Sequence, residues 1–211
     1  MEMTEFRSKE NWQGSFYELC LELGPAGSDT LAIRALEMLW RQPELHGPWV
    51  ERSDYDPAAN PVEPSIQHST YYGYLTLTDR KEVGCASYLI RVEGESDWLN
   101  LSIPMGMLEL RYPLSYPLDR STNPWLEQVD ELFARLARVI YKEATFQLGL
   151  VGEEASGANS AATLTKEDCQ RGGLLVPWPL WQQLKPSREV ADISNGLVHV
   201  PFIGPHITYG S

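Results

Sequence analysis

Three apolar stretches of strand length follow one another in the middle of the chain: "TYYGYLTL" from 70 to 77, "GCASYLIRV" from 84 to 92 and "DWLNLSIPMGMLEL" from 97 to 110. The polar segments "TDRKEVG" and "EGESD" separate them. Runs this short, joined by turns this short, predict an antiparallel meander in which each strand follows the last through a hairpin. Pro104 and Gly106 interrupt the third run, which predicts an edge strand or a bulge, since proline has no N–H to give to a sheet ladder.

Elements on either side extend this core. In "SFYELCLELG", Tyr17, Leu19, Leu21 and Leu23 alternate with Glu18, Cys20 and Glu22, the two-residue period of a half-buried strand that ends at Gly24-Pro25. Ser28 or Asp29 then caps a helix whose Ala32, Ala35, Leu36, Leu39 and Trp40 form one stripe, closed by Pro43. Asn123-Pro124 opens a second helix with Trp125, Val129, Leu132, Phe133, Leu136 and Ile140 at spacings of three and four. Its acids Glu127, Asp130 and Glu131 sit near the positive end of the helix dipole, and Arg138 and Lys142 near the negative end. "TFQLGLVGEE" follows as a strand.

The predicted fold is α+β: an antiparallel or mixed sheet of about five strands in the order β-α-β-β-β-α-β, with two helices packed on one face, plus a C-terminal extension. Residues 1–211 are read as a single domain, with 12–154 as the sheet-and-helix core and 155–211 as an extension packed on that core, being too short for a core of its own. "ASGANSAA" reads as a loop or linker, followed by a short helix around "TKEDCQ". From Pro43 to Ser69 the chain carries five prolines and little periodicity, a long surface segment of the kind that is functional or poorly ordered.

The charge is uneven. Of a net −12, residues 1–63 hold 12 acids against 5 bases, while residues 155–211 hold 4 of each. Such a surface repels nucleic acid and anionic lipid, whose binding depends on Lys and Arg, and attracts basic proteins. Cys20, Cys85 and Cys169 are odd in number and far apart, so they read as reduced thiols, and Cys169 in "KEDCQR" as the more exposed one. The sequence shows no apolar run long enough to span a bilayer and no secretory h-region, so the expected location is the cytoplasm, with no membrane partner.

Chemistry-bearing patterns are sparse. His199 and His206, in the terminal "NGLVHVPFIGPHITYGS", are seven residues apart and would face opposite ways on a continuous strand; with no HExxH, HxH or Cys partner, no metal and no cofactor are expected. "GEEASG" reproduces neither a nucleophile elbow nor a phosphate loop. Glu153 and Glu154 face opposite ways and read as a solvated strand end. In the tail, Leu197, Val198, Val200, Phe202 and Ile203 are expected to tie it to the sheet.

Two functional expectations follow. The absence of catalytic motifs leans away from an enzyme and toward an acidic cytoplasmic protein-interaction domain. It would bind a basic protein partner, as an inhibitor or immunity-type protein does, through Glu44, Trp49, Glu51, Asp54, Asp56 and Glu63. Aromatic residues among prolines support such recognition, His46 and Trp49, Tyr71, Tyr72 and Tyr74, and Trp178 and Trp181 being the clusters. The alternative is a small-molecule enzyme or ligand-binding protein with a pocket between the sheet and the C-terminal tail, faced by His199, His206 and Tyr209.

Overall fold

The computed structural model describes residues 1–187 and 193–201. It opens with helix α1 (Met3–Arg7) and a 3₁₀ turn (Lys9–Trp12), followed by β1 (Phe16–Pro25), α2 (Asp29–Trp40), β2 (Leu45–Trp49) and a second 3₁₀ turn (Arg52–Asp54). Then come β3 (Thr70–Thr76), β4 (Glu82–Ile90), β5 (Ser96–Pro104), α3 (Met105–Glu109), α4 (Trp125–Glu143) and β6 (Leu148–Glu153). The last part contributes α5 (Asp168–Arg171), β7 (Leu174–Pro177), α6 (Trp178–Leu184), β8 (Ile193–Ser194) and β9 (Leu197–Val200).

Among the described residues nine strands form one sheet in the order β2-β3-β4-β5-β1-β6-β7-β9-β8. Every neighbouring pair is antiparallel. The fold is therefore α+β, with the meander β3-β4-β5 as its middle, but the sheet is larger than the predicted five strands. The additional strands β2, β7, β8 and β9 have 5, 4, 2 and 4 residues, too few for a two-residue period to stand out against the surrounding prolines and glycines. Residues beyond 155 thus add strands to the sheet as well as packing on its face: Leu197, Val198 and Val200 are buried in β9, whereas Phe202 and Ile203 lie outside the described residues.

β5 corrects a second expectation. It is an interior strand, paired to β4 on one side and β1 on the other, not an edge. Pro104 is tolerated because it is the last residue of the strand, after which the chain turns into α3. There Met105 N donates to Ser15 O and Gly106 N to Gln13 O. A Cβ on Gly106 would lie 2.8 Å from Asn11 O, so the close approach of the N-terminal segment requires glycine.

The two sheet faces are covered differently. On one, Tyr17, Leu19 and Leu21 of β1 and Leu99, Leu101 and Ile103 of β5 pack against the stripes of α2 and α4 in one continuous core. Hydrogen bonds cross this core: Trp40 Nε1 donates to Ser87 Oγ at 2.9 Å, and Tyr17 Oη donates to Asp130, which also accepts from Arg120 at 2.5 Å. Burial raises the Asp130 pKa, against the pull of these two donors. The other face carries Glu18, Cys20 and Glu22. One flank of it lies under residues of 155–184, with Ala155, Leu164, Cys169 and Trp181 packed on Cys20, Leu148, Leu150 and Leu174. Its opposite flank lies under an aromatic cluster of Phe6, Trp49 and Tyr55, joined by Trp12, Tyr72 and Tyr74.

Candidate functional site

Beside the aromatic covering this face of the sheet carries a groove, and the strand register builds its floor. Glu18 of β1 stands opposite Ser102 of β5, which stands opposite Ala86 of β4, which stands opposite Tyr72 of β3. The next row on the same face runs Cys20, Asn100, Tyr88 and Thr70. Trp12, Phe16, Arg52, Thr70, Tyr72, Ala86, Tyr88 and Ser102 enclose a volume of about 290 Å³.

Glu18, at the β1 end of the first row, is 1% exposed. Its Oε1 accepts from Tyr88 Oη and from Ser102 Oγ, both at 2.7 Å, and its Oε2 accepts from Ser156 N at 3.2 Å. Glu22, two residues on, accepts from Ser96 Oγ at 2.7 Å and from Ala161 N at 2.6 Å. A carboxylate out of water needs a cation or several hydrogen bonds, and these two have only neutral donors among the described residues. Two of those donors are backbone N–H groups of residues 156 and 161, so the carboxylates also fasten that segment across the sheet.

Neighbouring groups feel the site. Burial pushes the Tyr88 phenol up to about 12; the nearby Ser102 and Asn100 side chains work the other way, and the Glu18 carboxylate adds to the rise. Burial, then the Glu18 carboxylate, pushes the Cys20 thiol well up. The Asn100 side chain is fully buried in the same row, and neither of its amide atoms makes a hydrogen bond of ordinary geometry. At the rim the Arg52 guanidinium lies 5.5 Å from the Trp12 ring centre and 5.9 Å from that of Tyr72. Those two rings meet edge to face at 5.2 Å.

The residues singled out from the sequence fall elsewhere. Glu44 is half-buried and paired with Arg135 at 2.5 Å. Trp49 is a packing residue in the aromatic cluster, with Tyr55 at 4.8 Å. Glu51 and Asp54 are exposed and cap the second 3₁₀ turn reciprocally; Asp56 accepts from Ala58 N at 2.8 Å, and Glu63 is exposed beside Val62 and Pro64. His199 is half-buried on β9 opposite Leu175, and with Pro201, Arg120, Arg135 and Arg138 it lines a separate cleft of about 490 Å³. His206 and Tyr209 lie outside the described residues.

Two further expectations are overturned. Cys169 is fully buried, because α5 turns it into the packing beneath 155–184 rather than outward. Glu153 is 4% exposed rather than a solvated strand end, and accepts from Ser15 Oγ at 2.5 Å, while Glu154 accepts from Phe16 N at 2.9 Å.

Of the groove residues, only Tyr72 was visible in the sequence as part of an aromatic cluster. Glu18 read as the polar side of an alternating strand, and its charge inside an otherwise apolar run was the one available signal. Among the described residues no three or more His, Cys, Asp or Glu side chains are grouped to hold a metal ion, and no helix is long and apolar enough to cross a membrane. Comparison of the chain with protein-family models, curated proteins and solved structures finds no match.

Proposed function

We propose that this chain is an acidic protein-interaction domain of the cytoplasm that binds a basic protein partner, in the manner of an inhibitor or immunity-type protein. The observation that carries this reading is the segment from 51 to 63. It presents Glu51, Asp54, Asp56 and Glu63 with Arg52 as its only base, and none of these acids forms an ion pair among the described residues. The segment is also held at both ends. Trp49 and Tyr55 are buried in the aromatic cluster, and Val62 N donates to Pro48 O at 2.9 Å. Unneutralised acids on an anchored segment attract a positively charged surface and speed its encounter, with a strength that falls as salt rises.

The test is co-purification from native cells at low ionic strength, with the triple variant Glu51→Lys, Asp54→Lys, Glu63→Lys run in parallel. A basic protein retained by the natural chain, released by salt and missed by the variant is the expected result. Recovery of the same proteins by both chains, or of none by either, removes the reading.

The cleft lined by His199, Arg120 and Arg138 favours a second reading, a small-molecule enzyme or ligand-binding protein with its pocket beside the C-terminal tail. His199→Ala should then abolish an activity or a ligand-induced shift; an unchanged variant removes that reading.

A further inference from the structure

We infer that the groove on the sheet face seats a guanidinium group, an arginine side chain of the basic partner, in the position now approached by the chain's own Arg52. The inference rests on the reading of this protein as a binder of basic proteins and assigns that partner's anchor residue.

The hydrogen-bond directions of the floor carry the argument. Tyr88 Oη and Ser102 Oγ each have a single proton, and both hydroxyls donate to Glu18 Oε1 at 2.7 Å. With their protons turned toward the carboxylate the two oxygens are polarised as acceptors; Ser102 Oγ also lies 3.2 Å from Tyr88 Oη, and the Thr70 hydroxyl completes the polar lining. Glu18 has no cationic partner among the described residues, and its negative charge reaches the groove through these polarised hydroxyls. A group made only of donors and carrying positive charge satisfies such a floor; an anion meets repulsion.

The walls select which cation. Trp12 and Tyr72 present aromatic surface, and the Arg52 guanidinium lies within cation–π range of both ring centres, at 5.5 and 5.9 Å. Arg52 forms no ion pair among the described residues. Glu51 and Asp54 flank Arg52 at the ends of its 3₁₀ turn, so the turn that carries the guanidinium is net acidic. A planar guanidinium, with five donors and an affinity for aromatic faces, suits these walls and this floor better than a compact ammonium.

The experiment titrates the full chain with a blocked Gly-Arg-Gly peptide and its citrulline counterpart, following the Trp12 indole N–H resonance. Natural chain, Arg52→Ala, Tyr72→Ala and Tyr88→Phe are compared, with circular dichroism confirming that each is folded. The arginine peptide should bind saturably, the neutral citrulline peptide about tenfold more weakly or not at all, and Tyr72→Ala should reduce the affinity. Arg52→Ala should bind the arginine peptide at least about threefold more tightly, because the competing guanidinium is gone. The inference is overturned by equal binding of the two peptides, by no binding to either the natural chain or Arg52→Ala, or by weaker binding in Arg52→Ala, which marks Arg52 as the anchor of an acidic ligand. Its failure is separable from that of the partner reading. A partner that depends on the acids of 51–63 yet ignores Tyr72→Ala, with no peptide binding, removes the groove assignment alone. Peptide binding as stated, with no partner dependent on those acids, removes the partner reading alone.

Discussion

Glu18 and Tyr88 stand on β1 and β4 with β5 between them, and the Tyr88 hydroxyl spans that strand to donate to Glu18 Oε1 at 2.7 Å. The bond uses the length of a tyrosine to reach across two inter-strand spacings. It closes a network in which a carboxylate at 1% exposure is served by one phenol, one serine hydroxyl, one backbone N–H and, at 3.9 Å, the Cys20 thiol.

Tyr88→Phe keeps the ring and deletes the donor. With Ser102 and Ser156 still in place Glu18 remains partly satisfied, so the loss should be about 1.5–3 kcal/mol, the range for a hydrogen bond to a charged acceptor. Urea unfolding of the two proteins measures it. An unchanged midpoint would mean that water replaces the phenol without cost.

Gly73→Ala tests the packing of α2 on the sheet. A Cβ at this position in β3 would stand 2.5 Å from His46 O and from the Trp40 ring, so β2 or the indole must move. Overpacking of this kind costs about 1–3 kcal/mol. Because Trp40 also donates to Ser87 in the same core, thermal unfolding should show the loss together with a changed tryptophan emission in the native baseline.

Acid should loosen the N-terminal segment. The Arg111 guanidinium hydrogen-bonded to Glu5 lowers the carboxyl pKa below its ordinary 4.5, with burial opposing. A depressed folded pKa contributes stability that is present above about 4.5 and is lost as pH falls through the folded value. Amide exchange or proteolysis at α1 should therefore rise below that pH and stay flat above it. Glu5→Gln should remove the pH step.

The thiols should be silent in the native state. Cys20, Cys85 and Cys169 are all buried, and burial pushes the Cys20 and Cys85 thiols up, away from the reactive thiolate. A thiol reagent should label none of them in the folded chain and 3 in denaturant. Rapid labelling of Cys20 or Cys169 without denaturant would contradict the packing described for residues 155–184, and that of Cys85 the packing of the helices on the opposite face.

The alternation of Tyr17, Leu19, Leu21 and Leu23 with Glu18, Cys20 and Glu22, the stripes of α2 and α4, and the turn-bounded runs of β3, β4 and β5 are properties of neighbouring residues. The sequence by itself therefore determined a sheet with helices on its apolar face. Asn123 shows where local reading ends. It stands at the start of α4 as expected, but its side chain bonds to Ser115 N at 2.9 Å and Ser115 O at 2.7 Å, tying the preceding loop instead of capping the helix.

What only the tertiary structure decided is the fate of the polar face. A two-residue period says that the two faces of β1 differ; it does not say that one meets water. Glu18 is buried because Ser156, 138 residues further along, supplies an N–H, while Tyr88 and Ser102 arrive from strands that pair only once the sheet is assembled. The groove, its floor and the placement of Arg52 beside the Trp12 and Tyr72 rings likewise depend on contacts between distant segments. Periodicity is a local signal, and hydrogen bonds between distant segments leave no trace in it.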